Sequence, residues 1–181
     1  MIELLVTVSI VALLVSFSVP SFRTAINNRQ THAVAETIEN ALRLAQSTAT
    51  QQSRSTTLCL TNSTPSASLV AAAPNSNCVA NGKYWFIQTN TLFTDENPAY
   101  LRGGTFGDIG PNVAITGPAT LDFSALGRTS VATRQVYKFT NPYADFKSTA
   151  TRYLGVTVEP GGQIRMCDSS RSMSNSADGC P

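Results

Sequence analysis

The residues of this sequence best suited to chemistry are four cysteines and one histidine: Cys59, Cys78, Cys167, Cys180 and His32. A zinc site needs several such side chains at short, repeated spacings, such as a Cys-x-x-Cys pair. The cysteines form no such pair, and the histidine lies upstream of all four. We therefore expect no bound metal and no cofactor.

An even number of cysteines also suits disulfide bonds in an oxidising compartment. Three pairings are open, and we favour Cys59 with Cys78 and Cys167 with Cys180. Each of these pairs encloses a short loop rich in Ser, Asn, Pro or Gly that has little else to order it. In the chain-entropy model, each closure stabilises the fold by roughly 3 kcal/mol. The alternative is four buried free thiols, which a cytoplasmic location would favour.

Acid, base and nucleophile groups are not spaced for catalysis. A Ser-His-Asp or Cys-His arrangement would need His32, which we predict to lie on the surface of a long helix. Asp95 and Glu96 stand beside an Asn-Pro dipeptide in a predicted loop, where they are solvated turn residues. The stretches "GGQIR" and "RGGTFGDIG" do not lie between a strand and a helix, as phosphate-binding loops do. We predict that the protein is not an enzyme.

The chain opens with an apolar stretch that is long enough to cross a bilayer. Residues 4–19 carry no charge, and Phe22 extends the stretch to a length that spans roughly 30 Å of hydrocarbon as a helix. A cleavable secretory signal is the competing interpretation, but a positive n-region and a convincing small-x-small cleavage site are missing. We predict that residues 1–22 are the transmembrane half of a longer helix.

Pro20 would break most helices, but in a membrane helix it commonly only introduces a kink. Beyond it, apolar residues recur at helical spacings, and no stop signal appears before "QQSRSTT". We predict one helix of about fifty residues, roughly 75 Å long, with an amphipathic half over residues 23–52. The predicted apolar face comprises Phe22, Ile26, Val34, Ile38, Ala41, Leu42 and Ala45.

From Ser55 onward, short segments rich in β-branched or aromatic residues alternate with turn-forming stretches such as "NSTPS", "RGGTFGDIGP" and "EPGG". We predict an α+β fold in which a β domain, residues 53–181, forms an antiparallel sheet of about seven short strands. This sheet packs on the amphipathic half of the helix, so that residues 23–181 form one folding unit. The predicted strands are "STTLCLT", "KYWFIQT", "NVAITG", "ATLDFS", "QVYKFT", "RYLGVTV" and "GQIRMC".

Glu3 is an acid set into the apolar segment. An ionised carboxylate in hydrocarbon costs at least roughly 2.5 to 3.5 kcal/mol, so such a group is usually paired or functional. The helix macrodipole offsets part of that cost near an N-terminus, and one interpretation is that Glu3 caps the first turn at the level of the headgroups. The interpretation we favour is a counter-charge supplied by another subunit.

The stretch "IELLVTVSIVALLVSFSVPSF" resembles the N-terminal segment of type IV pilins and pseudopilins, and the match includes Glu3 and Pro20. "TLDFSALGR" and "RYLGVTVEPGGQIRMC" resemble the last third of the GspH/FimT/FimU class of minor pilins and pseudopilins. The resemblance implies that Glu3 pairs with the N-methylated terminal amine of an adjacent subunit and sets the register of assembly. Such a pair would remove the cost of a lone acid in an apolar helix bundle.

In that family, a short basic leader ending in Gly precedes a processed Phe, whereas Met1 stands here where the third mature residue would be. We therefore expect the natural start to lie further upstream, and we place prepilin peptidase processing on no residue of this sequence. Arg23 and Arg29 follow the span, and the positive-inside rule alone would put the β domain in the cytoplasm. The cysteines favour the periplasm, so we predict a single-pass inner-membrane protein that later joins a pilus or pseudopilus at the cell surface.

The resemblance implies a minor pilin of the FimU kind, which assembles through its N-terminal helix into the tip or priming complex of a type IV pilus. The implied partners are other minor pilins, the major pilin, the inner-membrane assembly platform and, for the full precursor, prepilin peptidase. A GspH-like pseudopilin of a type II secretion system has the same architecture and is the first alternative.

The second alternative is a FimT-like minor pilin that binds DNA during natural transformation. The resemblance places a Gly-Arg-x-Arg pattern at residues 162–165, but Gln163 replaces its first arginine and cannot release a phosphate counterion. Asp168 also opposes binding, and a net charge of +2 gives no broad basic surface. We expect any DNA binding to be weak and salt-sensitive. The candidate basic patch comprises Arg152, Arg165, Arg171 and Lys147.

Overall fold

The computed structural model describes residues 2–72, 75, 77–90, 98–141 and 153–181, with the side chains of residues 13 and 15–21 excepted. Helix α1 comes first, over Ile2–Gln52, and is followed by an almost entirely β region. The other elements are β1 (Thr56–Thr61), α2 (Ala67–Ala72), β2 (Tyr84–Thr89), β3 (Ala99–Thr105), β4 (Ala114–Thr116), β5 (Thr120–Phe123), β6 (Gln135–Thr140), β7 (Leu154–Val158), β8 (Ile164–Ser172) and β9 (Gly179–Cys180).

Helix α1 runs for 51 residues, which confirms the predicted helix of about fifty. Its sequence contains no glycine, and the helical backbone continues across Pro20. The helix ends because Ser53 takes a positive φ of 52°. The backbone N–H of Arg54 then donates to the carbonyl of Ala49 at 3.2 Å. This is a Schellman-type end, which satisfies a carbonyl that the helix would leave unpaired.

The described strands form two sheets. One contains four strands in the order β3-β2-β1-β5, and the other contains five in the order β4-β6-β7-β8-β9. Neighbouring strands are antiparallel except β8 and β9, which are parallel. The α+β architecture is therefore confirmed, and each of the seven predicted segments contains a strand. Two further strands, β3 and β9, complete the sheets.

The turn predicted for "RGGTFGDIGP" is wrong in its first part, because Arg102–Thr105 belongs to β3. The glycines there permit close packing. A Cβ atom on Gly103 would lie 2.6 Å from the Cβ of Pro65, and one on Gly104 would lie 3.1 Å from Nε1 of Trp85. The first distance is too short for any side chain, and the second would require the Trp85 ring to shift by a few tenths of an ångström. Glycine in a strand thus marks a close approach, and the chain turns only after Thr105.

One face of α1 lies in the core that both sheets share. The predicted apolar face is right from Val34 onward and wrong at its start, since Phe22 is 69% and Ile26 is 40% exposed. Burial begins at Thr31, which is 2% exposed. Phe22 and Ile26 lie on α1 beyond the end of the core that the described strands build. The fully buried residues of the helix are Val34, Ala35, Ile38, Leu42, Ala45 and Ala49.

Gln46 connects the helix to a turn of each sheet. Its side-chain Nε2 donates to the carbonyls of Gly127 and Gly162, both at 2.8 Å. Both glycines have a positive φ, 72° and 87°, which favours glycine over other residues. A Cβ atom on Gly162 would lie 2.0 Å from the carbonyl oxygen of Gly127. The turn after β5 and the turn between β7 and β8 are therefore held together against the same side of α1.

Candidate functional site

The first part of α1 is an apolar surface that the rest of the described chain leaves uncovered. Between Ile2 and Leu14, its large apolar side chains are 52% to 77% exposed. A helix that is hydrophobic on every side is stable only when lipid or other helices surround it. We call this segment, residues 2–14, the exposed half-helix. Its large apolar residues with described side chains are Ile2, Leu4, Leu5, Val6, Val8, Ile10, Val11 and Leu14.

Polar side chains within the exposed half-helix are few and are mostly satisfied by the helix itself. The Thr7 hydroxyl donates to the carbonyl of Leu4 at 2.9 Å, and the Ser9 hydroxyl donates to that of Leu5 at 2.8 Å. Glu3 lies in the first turn, where the helix dipole favours an acid. No described residue forms an ion pair with it. The carboxylate of Glu3 is therefore the group of this segment whose charge an external cation would neutralise.

The predicted membrane crossing of residues 1–22 and the predicted role of Pro20 in assembly both stay predictions. Within the described residues, no helix combines the length and the apolarity that a membrane crossing requires. The role of Pro20 in assembly rests on a side chain that lies outside the described residues. The division of the chain at residue 22, and the single folding unit of residues 23–181, likewise stay predictions.

The structure contains two disulfides, Cys59–Cys78 and Cys167–Cys180, in the pairing that the loop lengths favour. Cys59 lies on β1 in a small apolar cluster with Val70 of α2, so its bond holds the helix-containing loop against the first sheet. The other bond joins β8 to β9 and lies over β7. It packs there because Gly155 has no side chain: a Cβ atom at that position would lie 2.8 Å from Sγ of Cys180.

The loop closed by the second disulfide neutralises Arg171 internally. The Arg171 Nε atom lies 3.6 Å from Oδ2 of Asp168, and its Nη1 lies 3.1 Å from Oδ2 of Asp178. Asp178 also accepts a hydrogen bond from the hydroxyl of Ser176. That hydrogen bond, with Arg171 adding to it, holds the pKa of Asp178 below its ordinary value. Arg171 is thus committed to two carboxylates of its own loop.

Two of the four residues of the predicted basic patch, Arg165 and Arg171, are described, so the patch as a whole stays a prediction. Arg165 points its Nη2 at the sulfur of Met173, at 2.8 Å, and Arg171 is occupied as described above. Arg152 and Lys147 lie outside the described residues. Of the two described candidates, Arg165 is the one to which the described residues supply no carboxylate.

Of the residues weighed for catalysis, the described part of the chain contains His32. His32 is exposed on α1, where its Nδ1 lies 3.3 Å from Oε1 of Glu36. Asp95 and Glu96 lie outside the described residues. Within the described part of the chain, no three His, Cys, Asp or Glu side chains cluster as metal ligands would. That the protein is not an enzyme stays an expectation.

A groove of 610 Å³ lies beside β4, the edge strand of the five-stranded sheet. It is bounded by the turn before β2, the turn after β3 and the loop that precedes β4. Its side chains are mainly apolar or neutral, and its ionisable members are Lys83 and Tyr84. The groove thus offers a contact surface, and its described lining contains no pair of an acid and a base suited to catalysis.

A long N-terminal helix whose second half packs on an antiparallel β domain defines the pilin-like class of α+β proteins. The chain belongs to the GspH family within the minor pilins and pseudopilins. The model of that family, described as type II transport protein GspH, matches residues 34–177. No curated protein sequence matches the chain.

The fold of this chain is similar to that of a solved minor pilin, and two further structures match it less well. The type IV minor pilin FimU of Pseudomonas aeruginosa matches 77% of this chain and 90% of its own, with 17% identity and a TM-score of 0.52. The minor pseudopilin EpsH of the Vibrio cholerae type 2 secretion system matches 74% and 93%, with 12% identity and a TM-score of 0.48. GspH of Escherichia coli matches 79% and 91%, with 12% identity and a TM-score of 0.47.

Proposed function

We propose that this protein is a minor pilin of the FimU kind, which assembles through α1 into the tip or priming complex of a type IV pilus. The observation that carries the proposal is the exposed half-helix. It is apolar all round, it is continuous with a half that is buried in the β domain, and it contains Glu3 near its end. A helix of this kind needs lipid or other apolar helices around it.

The energetics favour assembly over exposure to water. Fully burying a large aliphatic side chain is worth about 1.5–3 kcal/mol, and eight such side chains are described in the exposed half-helix. Glu3 opposes this burial unless a cation meets it, because a lone carboxylate in an apolar bundle is penalised. A terminal amine on the neighbouring subunit would remove the penalty and would fix which subunits lie side by side.

The proposed location follows from the same features. The apolar half-helix holds the subunit in the bacterial inner membrane before assembly, and the β domain lies in the periplasm, where both disulfides persist. The proposed partners are other minor pilins, the major pilin and the inner-membrane assembly platform. Prepilin peptidase acts on the full precursor.

The test of this function is the charge at position 3. Glu3→Gln keeps the size and hydrogen-bonding capacity of the side chain and removes its charge, whereas Glu3→Asp keeps the charge. We expect Glu3→Gln to reduce surface pili about tenfold or more in a strain that lacks the native copy, and Glu3→Asp to retain most of them. Sheared pili are measured by immunoblot, with the membrane-bound subunit measured alongside to show that it is still made. Normal piliation with Glu3→Gln would contradict the proposal.

A pseudopilin of a type II secretion system is the alternative that the description of the family favours. It would use the same half-helix and the same Glu3. The two functions separate when the gene is deleted: a pilin deletion reduces piliation and leaves protein export intact, and a pseudopilin deletion does the reverse. Export and piliation are therefore measured on the same strain.

DNA binding is the remaining alternative, and Arg165 is its supporting residue. A mobility-shift titration of the full chain in detergent, at low and high salt, tests it. Weak binding that disappears at high salt and is reduced by Arg165→Gln would favour a DNA-binding role. Absence of a shift at low salt would remove it.

A further inference from the structure

The sulfur of Met173 lies between two guanidinium groups. Nη2 of Arg165 lies 2.8 Å from the Met173 sulfur, and Nη1 of Arg134 lies 3.4 Å from it. Met173 directly follows β8 and is 37% exposed, so small solutes reach it. This arrangement is independent of the exposed half-helix and of the proposed assembly function.

Both sides of this contact are anchored. Arg134 is held by Glu159, whose Oε1 lies 2.5 Å from the Arg134 Nε atom. Arg165 lies on β8, opposite Thr157 of β7. The backbone N–H of Met173 donates to the carbonyl of Cys180 at 3.1 Å, next to the second disulfide. The two cations and the sulfur are therefore placed by the fold.

A thioether is a poor partner for such donors. Its sulfur is only a weak acceptor, whereas guanidinium N–H groups form their strongest hydrogen bonds with polar oxygen atoms. Methionine sulfoxide carries a polar oxygen on the same sulfur. Oxidation usually disrupts a protein because it places that oxygen in an apolar core. At Met173 the oxygen would meet two strong donors instead.

We propose that Met173 is a reversible oxidation site and that its sulfoxide fastens the C-terminal loop, residues 173–178, to the five-stranded sheet through Arg134 and Arg165. The oxidant is hydrogen peroxide or an organic hydroperoxide. Its O–O bond breaks, one oxygen forms a bond with the sulfur, and the other leaves as water or alcohol, so the sulfur loses two electrons and the peroxide gains them. A dithiol-dependent methionine sulfoxide reductase reverses the step, returning the oxygen as water while two thiols become a disulfide.

Met166 is the internal control. It lies on the same strand as Arg165 but packs half-buried against the main core, where a sulfoxide oxygen has no such donors. We expect limited peroxide treatment of the folded full chain to oxidise Met173 before Met166, as measured by peptide mass spectrometry. We expect hydrogen exchange of the amides of residues 174–178 to slow about tenfold on oxidation, because two charge-assisted hydrogen bonds are gained. Reduction by the reductase restores the original exchange rate.

Matched variants identify the donors. In Arg134→Gln/Arg165→Gln, oxidation still occurs, but the exchange of residues 174–178 no longer slows. In Met173→Leu, which keeps the size of the side chain and both arginines, peroxide leaves exchange in the loop unchanged. Earlier oxidation of Met166, unchanged exchange after oxidation of Met173, or equal slowing in either variant would each overturn the proposal.

Discussion

The two halves of α1 have the same backbone and opposite surroundings. Residues 2–14 are apolar on every side and exposed, whereas the second half buries one face, from Thr31 to Ala49, beneath two sheets. The buried face includes four alanines, which let the sheets approach the helix closely. The exposed half uses larger aliphatic residues and has no described element beside it. One half therefore forms part of the subunit core, and the other is left uncovered by the described chain.

The difference in burial between the two halves can be tested by truncating one leucine in each half. Leu42→Ala should lower the free energy of unfolding by about 2–5 kcal/mol, because Leu42 is fully buried. Leu5→Ala should change it by less than about 0.5 kcal/mol, because Leu5 is 69% exposed. Chemical denaturation in detergent micelles, followed by the β-domain signal, measures both. Equal losses would show that the first half also contributes to the subunit core.

The second disulfide belongs to the folded half of this comparison. Replacing Cys167 and Cys180 together by Ser should destabilise the β domain by roughly 3 kcal/mol, since the loop it closes becomes free in the unfolded chain. Thermal unfolding with and without reductant measures the loss, and reductant should have less effect on the double variant than on the native chain. A variant as stable as the native chain would show that β8 and β9 hold the loop without the bond.

Replacing Gln46 tests whether its side chain holds a turn of each sheet against the helix. Gln46→Leu should lower the free energy of unfolding by about 1–3 kcal/mol, because the carbonyls of Gly127 and Gly162 both lose their donor. The control is Gln51→Leu, at an exposed position of the same helix, where about 0.5 kcal/mol or less is expected. Equilibrium denaturation compares the two, and similar effects would remove Gln46 as the residue that joins the sheets.

The smallest expected effect is the acid dependence of the C-terminal loop. The hydrogen bond from Ser176, with Arg171, lowers the pKa of Asp178 from its ordinary 3.8. A group whose pKa is lower in the folded state stabilises the fold above its unfolded pKa, so this contribution is present above about pH 4 and is lost as the pH falls further. The melting temperature of Asp178→Asn should therefore approach that of the native chain as the pH falls from 5 to 2. A constant difference would show that the carboxylate charge is irrelevant.

Periodicity predicted much of this fold. Helical spacing gave the long helix, alternation of β-branched and aromatic residues gave seven of the described strands, and loop composition favoured the disulfide pairing. It did not predict β3, because Gly103 and Gly104 have the composition of a turn and reveal their role only against Pro65 and Trp85. Periodicity also predicted burial of Phe22 and Ile26 wrongly. An apolar helix face shows which side of the helix can be buried, but it does not show where the surface that packs on it ends.

Some candidate site residues could likewise be identified from the sequence, and others only from the structure. Glu3 could be singled out from sequence because an acid in an apolar run is a local anomaly. Gln46, Arg134 and Met173 gave no such signal, since each is an ordinary residue for its segment and acquires its role from a partner far along the chain. The predicted basic patch stays a prediction, since Arg152 and Lys147 lie outside the described residues. Its sequence did not reveal that Arg171 would be paired with Asp168 and Asp178.

The sequence by itself determined the class of this protein: a long helix with an apolar first half, a disulfide-bonded β domain and an acid near the N-terminus. Local spacing and composition suffice for these features, because helix, strand and membrane preference are properties of short segments. Tertiary structure alone decided which polar groups meet: a glutamine with two turn carbonyls, an arginine with two carboxylates of its loop, and a methionine sulfur with two guanidinium groups. The first of those contacts depends on how two sheets fold against one helix, and the others depend on how the C-terminal loop folds back on β8.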